Sequence, residues 1–213
     1  EPSFSWTFKR SVKESIHGPV FEFDHGTYAL RISSIKNLRF IEQWYRMSKA
    51  SNISEFKRAM KIHAIPMFNT GYADKDGNLY YVYNAKIPKR DPRYNWKKIL
   101  AGEIKQNIWH EYIPYEKLPN VYNPRDGFYQ NCNSSPYLST GSRVDASKPL
   151  PEWTGIEKHQ TNRALRALET FGVDASISRE EFFEYKFDVE YSRESILANV
   201  RNKYFSELKG KKI

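Results

Sequence analysis

The most informative pattern of apolar and polar side chains lies in residues 65–90, which read as two strands joined by a tight turn. Residues 66–73 and Leu79–Tyr83 read as two strands, the second rich in the aromatic and β-branched types that suit a pleated surface. Between them Asp76-Gly77 predicts a tight turn, because glycine adopts the positive φ such a turn needs. Asp74-Lys-Asp76-Gly77-Asn78 also resembles the start of an EF-hand loop, but Gly77 falls at loop position 4 rather than 6, and Ala85 stands where the Glu is required. One position breaks the strand pattern. Asn69, flanked by Phe68 and Tyr72, is an amide that is costly to bury without a partner. A neighbouring backbone group would serve as that partner, and so would a substrate oxygen.

The remaining pattern divides the chain further. Residues 4–33 predict strands: Trp6-Thr-Phe8 alternates, and Val20–Phe23 and Thr27–Ile32 flank a turn at Asp24-His25-Gly26. Within 36–63, Leu38, Ile41, Trp44 and Tyr45 recur at helical spacing, and Ser54 is placed to cap a second helix carrying Phe56 and Met60. The simplest role for that aromatic stripe is core packing. Residues 84–153 have little periodicity and hold eight of the eleven prolines, yet Trp96, Trp109, Tyr112, Tyr115, Phe128 and Tyr129 keep recurring. That combination predicts a long ordered loop of functional use. Residues 154–208 predict helices, with capping boxes at Thr154-x-x-Glu157 and Ser178-x-x-Glu181 and an opening residue at Ser192. Their broad apolar faces call for a partner surface. The expected organisation is a sheet and helix-pair core with long aromatic loops over 1–153, and a helical segment over 154–213 belonging to the same larger domain.

Composition narrows the classes. The net charge is +9, but the basic residues are scattered, and no zinc-finger, RRM, KH or phosphate-loop pattern is present. Nucleic acid is therefore not an expected partner. No run of about 18 apolar residues occurs, so no membrane span is expected. The single cysteine, Cys132, excludes an internal disulfide. His17, before Gly18-Pro19, reads as a structural hydrogen-bonding residue and His25 as an exposed turn residue; neither has a partner at metal-ligand spacing. His110-Glu111 reads as two loop residues rather than a general-base pair.

The order of several short motifs is more specific than any one of them. Pro66-x-Phe68-Asn69-x-x-Tyr72-Ala73-Asp74-x-Asp76-Gly77-Asn78 is followed by Ile87-Pro88-x-Arg90 and then Trp96. His17-Gly18-Pro19-Val20 precedes them, and Leu118-Pro119, Asn123-Pro124-x-x-Gly127, Asn131-Cys132-Asn133-Ser134-Ser135-Pro136, and Asp188 with Tyr191-Ser192 follow. From about residue 12 to about residue 200 this arrangement resembles the penicillin acylase family of N-terminal nucleophile hydrolases.

The resemblance implies an α+β fold, part of an αββα sandwich with long ordered loops and a helical C-terminal segment. It implies that Asn69 donates to the oxyanion of an acyl-transfer reaction, a role that in a dry site is worth about 3 kcal/mol. It implies that Arg90 lines the mouth of the site and orients substrate or nucleophile, with an exposed charge as the plain alternative. Phe68, Tyr72, Asn131 and Asn133 are expected near the substrate. The family's nucleophile is a residue whose own α-amine is the general base. No nucleophile of that kind is assigned here: Ser3, Ser5 and Cys132 are all internal. The expectation is a piece of a β-chain that is inactive by itself, whose partners are the remainder of that chain, an α-chain and a small acyl-amide substrate. No cofactor is expected for catalysis. A structural calcium is possible in the parent protein, with its metal ligands unknown, and a periplasmic or secreted location follows by resemblance. A different class remains open, a catalytically dead module that binds a ligand with its aromatic loops.

Overall fold

The structure, a computed structural model, describes residues 5–141 and 148–209. Ser3 and most of the lysine-rich tail lie outside them. Two three-stranded antiparallel sheets and five helices make up the regular structure of the described residues. The first sheet contains β1 (Lys13–Ser15), β2 (Gly18–Phe23) and β3 (Gly26–Ala29) in chain order. Trp6–Phe8 forms no strand, and β3 stops at Ala29 rather than Ile32.

Helix α1 (Arg39–Lys49) and helix α2 (Ile53–Met60) follow. The helix pair is as expected, but its facing is not. Leu38, Ile41 and Tyr45 are 73%, 62% and 63% exposed, whereas the polar Gln43 is fully buried. Gln43 Oε1 accepts from the N–H groups of Ala64 (2.8 Å) and Ile65 (3.1 Å), satisfying the backbone that leads into the next strand. The apolar stripe of α1 is thus not core within the described residues. The cap of α2 is Asn52, whose side chain accepts from Glu55 N, and not Ser54.

The second sheet has the order β4 (Met67–Ala73), β5 (Leu79–Ala85), β6 (Asn120–Tyr122). Gly77 takes φ +82° in the β4–β5 turn, and Asp74 Oδ1 accepts from the N–H groups of Asp76 and Asn78. Tyr72, Tyr80 and Tyr122 lie in register across the three strands. Phe56 of α2 packs on Tyr72 with ring centroids 4.8 Å apart, and Lys57 lies over the rings of Tyr80 and Tyr122. Helix α2 therefore covers this face, and the main core gathers there around Phe56, Met60, Tyr80, Val82, Tyr115 and Leu118. Within the core, the Tyr80 and Tyr115 hydroxyls share a hydrogen bond of 2.7 Å.

The described residues of the long segment hold four short 3-10 turns: Lys105–Asn107, Tyr115–Lys117, Pro136–Leu138 and Glu152–Thr154. The segment beginning at Thr154 is not the start of a helix: Glu152–Thr154 is a 3-10 turn ending in Gly155 at φ +75°. Helix α3 (Asn162–Thr170) is capped by Thr161 instead. Helix α4 (Arg179–Lys186) has the expected capping box of Ser178 and Glu181. Helix α5 (Ile196–Lys209) begins after Ser195, whose hydroxyl accepts from Ala198 N, while Ser192 hydrogen-bonds Glu169. No helix among the described residues is long and apolar enough to cross a membrane.

Candidate functional site

Strand alternation places Asn69, Gly71, Tyr81 and Tyr83 on the sheet face opposite the tyrosine ladder. Asn69 is directly opposite Tyr83 in the β4–β5 register. The segment that follows β6 covers this face. The Tyr129 ring packs against Tyr81 at 5.8 Å, and its hydroxyl would stand 2.4 Å from a Cβ on Gly71. Glycine at position 71 is what lets Tyr129 lie against the sheet. Two residues on, Asn131 Oδ1 accepts a hydrogen bond of 3.0 Å from Asn69 Nδ2. Asn69 is half-buried, and its Oδ1 is fully buried with no partner among the described residues. Its amide is held by a side chain, not by neighbouring backbone, and its second N–H has no acceptor among the described residues.

The segment carrying Asn131 is itself braced. Gln130 N and Nε2 donate to the carbonyls of Ser139 and Leu138, and Arg163 of α3 donates to the Cys132 carbonyl. Asn133 is exposed, with φ +54°, one residue beyond Cys132. Burial pushes the Cys132 thiol up, against only a partial opposing effect of Arg163. That direction is the wrong one for a thiolate nucleophile.

Phe68 and Tyr72 lie on the other face of the sheet from Asn69. Phe68 meets Trp44 of α1 edge-on at 5.8 Å, and Tyr72 packs on Phe56 while its hydroxyl donates to Asp74. The alternation of β4 thus brings Asn69 and Asn131 together and separates them from both aromatic neighbours of Asn69 in sequence.

Arg90 follows β5 and is not an exposed charge. It is half-buried, its Nε is buried without a partner, and it forms no ion pair among the described residues. Its Cζ lies 5.5 Å from the centroid of the Trp96 ring and 5.3 Å from that of Trp109. Burial lowers its pKa, with the Tyr83 hydroxyl opposing this electrostatically. Tyr83, in turn, is raised by its own burial and lowered by Arg90. Tyr83 is directly opposite Asn69 in the sheet.

The tryptophans and Tyr129 were legible only as recurring aromatics; nothing in their spacing tells which ring meets which group. The other candidates behave simply. His17 Nε2 donates to the Gly102 carbonyl at 2.7 Å, His25 is exposed, and Glu111 pairs with Lys89 rather than His110. Among the described residues no three His, Cys, Asp or Glu side chains are grouped so as to hold a metal ion.

Comparison with known proteins gives a consistent result. Residues 5–209 match the sequence model of the family described as penicillin amidase. The chain is 29% identical to penicillin G acylase of Escherichia coli over 130 residues, covering 59% of this chain and 15% of that protein. It is 27% identical to the acyl-homoserine lactone acylase PvdQ of Pseudomonas syringae pv. syringae, covering 93% of this chain and 29% of that one. It is also similar in structure to a thermostable penicillin G acylase from Alcaligenes faecalis, with a TM-score of 0.65 and 23% identity over 82% of this chain and 30% of that chain. The chain thus spans less than a third of the length of these relatives. With the mixed helix-and-sheet fold in place and nearly the whole chain matched, this polypeptide belongs to the penicillin amidase family.

Proposed function

We propose that this chain supplies the oxyanion-binding wall of an enzyme that hydrolyses a linear, non-peptide N-acyl bond. The observation that carries this reading is the Asn69 amide, half-buried in a strand, with one N–H held by Asn131 and the other without an acceptor among the described residues. A donor fixed in this way needs no reorganisation when charge develops on a former carbonyl oxygen. The chemistry proceeds as acyl transfer. A hydroxyl adds to the amide carbon while an α-amine takes its proton, and Asn69 donates to the oxygen that becomes negative. The C–N bond then breaks, the proton passes to the leaving amine, and water hydrolyses the acyl-enzyme. In this reading the reacting hydroxyl, on a residue that carries its own α-amine, comes from another segment of the whole protein.

In this reading Arg90 orients the bound substrate or the nucleophile. The relatives suggest penicillins, acyl-homoserine lactones or similar acyl amides as the substrate class. The exposed apolar faces of α1 and α5 suit burial against the remainder of the β-chain and an α-chain. A periplasmic or secreted enzyme without a catalytic cofactor fits this chemistry. A structural calcium in the parent protein is compatible with this reading, and its ligands are not assigned.

The test is kinetic. In the whole protein, Asn69→Ala is expected to lower kcat about 10²–10³-fold on a chromogenic acyl-anilide. The 213 residues alone are expected to give no turnover. Full activity of Asn69→Ala in the whole protein, or turnover by the 213 residues that survives this substitution, would overturn the reading.

A further inference from the structure

We propose that Trp109 is a positioning residue that sets the direction of the Arg90 guanidinium. The inference rests on the reading of Arg90 as a group at the mouth of an acyl-transfer site. A half-buried guanidinium is usually fixed by a carboxylate, which both orients it and occupies its donors. Arg90 has no such partner among the described residues. It instead lies over a pair of touching indoles, its Cζ 5.3 Å from the Trp109 ring centroid and 5.5 Å from that of Trp96, within the range of cation–π attraction. Ring faces hold a guanidinium by its charge and its plane and leave its N–H groups free.

The indole that does the holding is itself anchored. Arg31 Cζ also lies 5.3 Å from the Trp109 ring, and Arg31 Nη2 donates to the Trp109 carbonyl at 3.0 Å while Nη1 donates to the Ile16 carbonyl at 2.7 Å. Trp96 is fixed through its Nε1 donating to the Asp91 carbonyl at 2.8 Å. Opposite, the absence of a side chain at Gly155 makes room for the guanidinium: a Cβ there would stand 3.3 Å from Arg90 Nη1. Two buried donors in this cluster, Arg90 Nε and Trp109 Nε1, have no acceptor among the described residues. A slot built this way fits a cation whose donors are kept for an oxygen that arrives with the substrate.

The experiment uses the whole protein and an acyl-anilide substrate. Trp109→Leu is expected to lower kcat about 10²-fold, the order of loss that follows a displacement of about 1 Å at a reacting centre. Trp109→Phe, which keeps a ring face, is expected to recover most of it. The double variant Arg90→Ala/Trp109→Leu is expected to be no slower than Arg90→Ala, because the two residues act as one unit. Guanidinium chloride, added well below the unfolding transition, is expected to restore part of the kcat of Arg90→Ala and none of that of the double variant. The proposal is overturned by losses that multiply in the double variant, by equal rescue in both backgrounds, or by full activity of Arg90→Ala. Should Trp109→Leu fail to fold, Arg90→Ala/Trp109→Met carries the comparison: a long side chain without a ring face is expected to abolish guanidinium rescue, and undiminished rescue overturns the proposal. An active Asn69→Ala would remove the acyl-transfer reading without bearing on this coupling, so the two failures are distinguishable.

Discussion

At the scale of single residues, the chain puts amides where apolar side chains would be expected, and two of them, Gln43 and Asn69, bind partners far along the chain. Gln43 is the clearest structural case. Its Oε1 accepts from two successive buried N–H groups, Ala64 and Ile65, and so terminates the turn after α2. Gln43→Leu keeps the volume but strands both donors, each costing about 1–3 kcal/mol. A loss of about 2–4 kcal/mol is expected in denaturant unfolding of the whole protein, and a loss under 1 kcal/mol would show that the two N–H groups find other acceptors. Asn69 is the counterpart in the proposed site. Its position as the odd residue of a strand is legible in the sequence, because an amide where an apolar or β-branched residue suits a strand is a local signal. Its partner, 62 residues away, is not, because nothing in the sequence specifies which loop side chain reaches across the sheet.

At the scale of elements, the β4–β5 hairpin is the best-determined part of the molecule. Aromatic and β-branched content and Asp76-Gly77 agree with one another, and the structure has the strands and turn in the expected places. The capping box of α4 is equally local and equally legible. Element starts that depend on competition between candidate caps were misassigned: Asn52 outcompetes Ser54, and Thr161 replaces Thr154, which is drawn into a 3-10 turn. The fit of the 128–133 segment on the hairpin rests on Gly71. Gly71→Ala places a Cβ 2.4 Å from the Tyr129 hydroxyl, so the ring must shift and the Asn131–Asn69 bond with it. A destabilisation of about 1–3 kcal/mol is expected, with a lowered kcat in the whole protein. Replacing Tyr129 by a smaller side chain in the same background should recover the stability but not the kcat; recovery of both would show that Tyr129 does not place Asn131.

At the scale of the whole molecule, stability is expected to fall with acid in two steps. Burial lowers the pKa of His63, opposed by its Nε2 hydrogen bond to the Ala85 carbonyl. The folded chain therefore resists a proton that the unfolded chain accepts. The stability this contributes is complete above about pH 6.5 and is lost as pH falls through the lower folded value. Asp188 is lowered first by its hydrogen bond to the Arg166 guanidinium, so its contribution is complete above about pH 4 and lost below it. Denaturant midpoints measured between pH 7 and 3 should trace both steps. His63→Asn, which tolerates the φ of +51° found there, should flatten the upper step only. An unchanged upper step would assign it to another group.

By itself, the sequence determined the hairpin, the helix pair, the α4 cap and the family, because each rests on contiguous spacing or on motif order along the chain. Only the tertiary structure decided which face each element turns inward. Helical spacing on α1 could not say that Gln43 is buried and Ile41 exposed, since that depends on what lies across from the helix. Strand alternation places Phe68 and Asn69 on opposite faces, yet which face carries α2 and which carries Asn131 was settled by contacts between segments far apart in the chain. The pairing of Arg90 with Trp96 and Trp109 is of the same kind: a charge in a basic stretch became a half-buried group because distant rings fold over it.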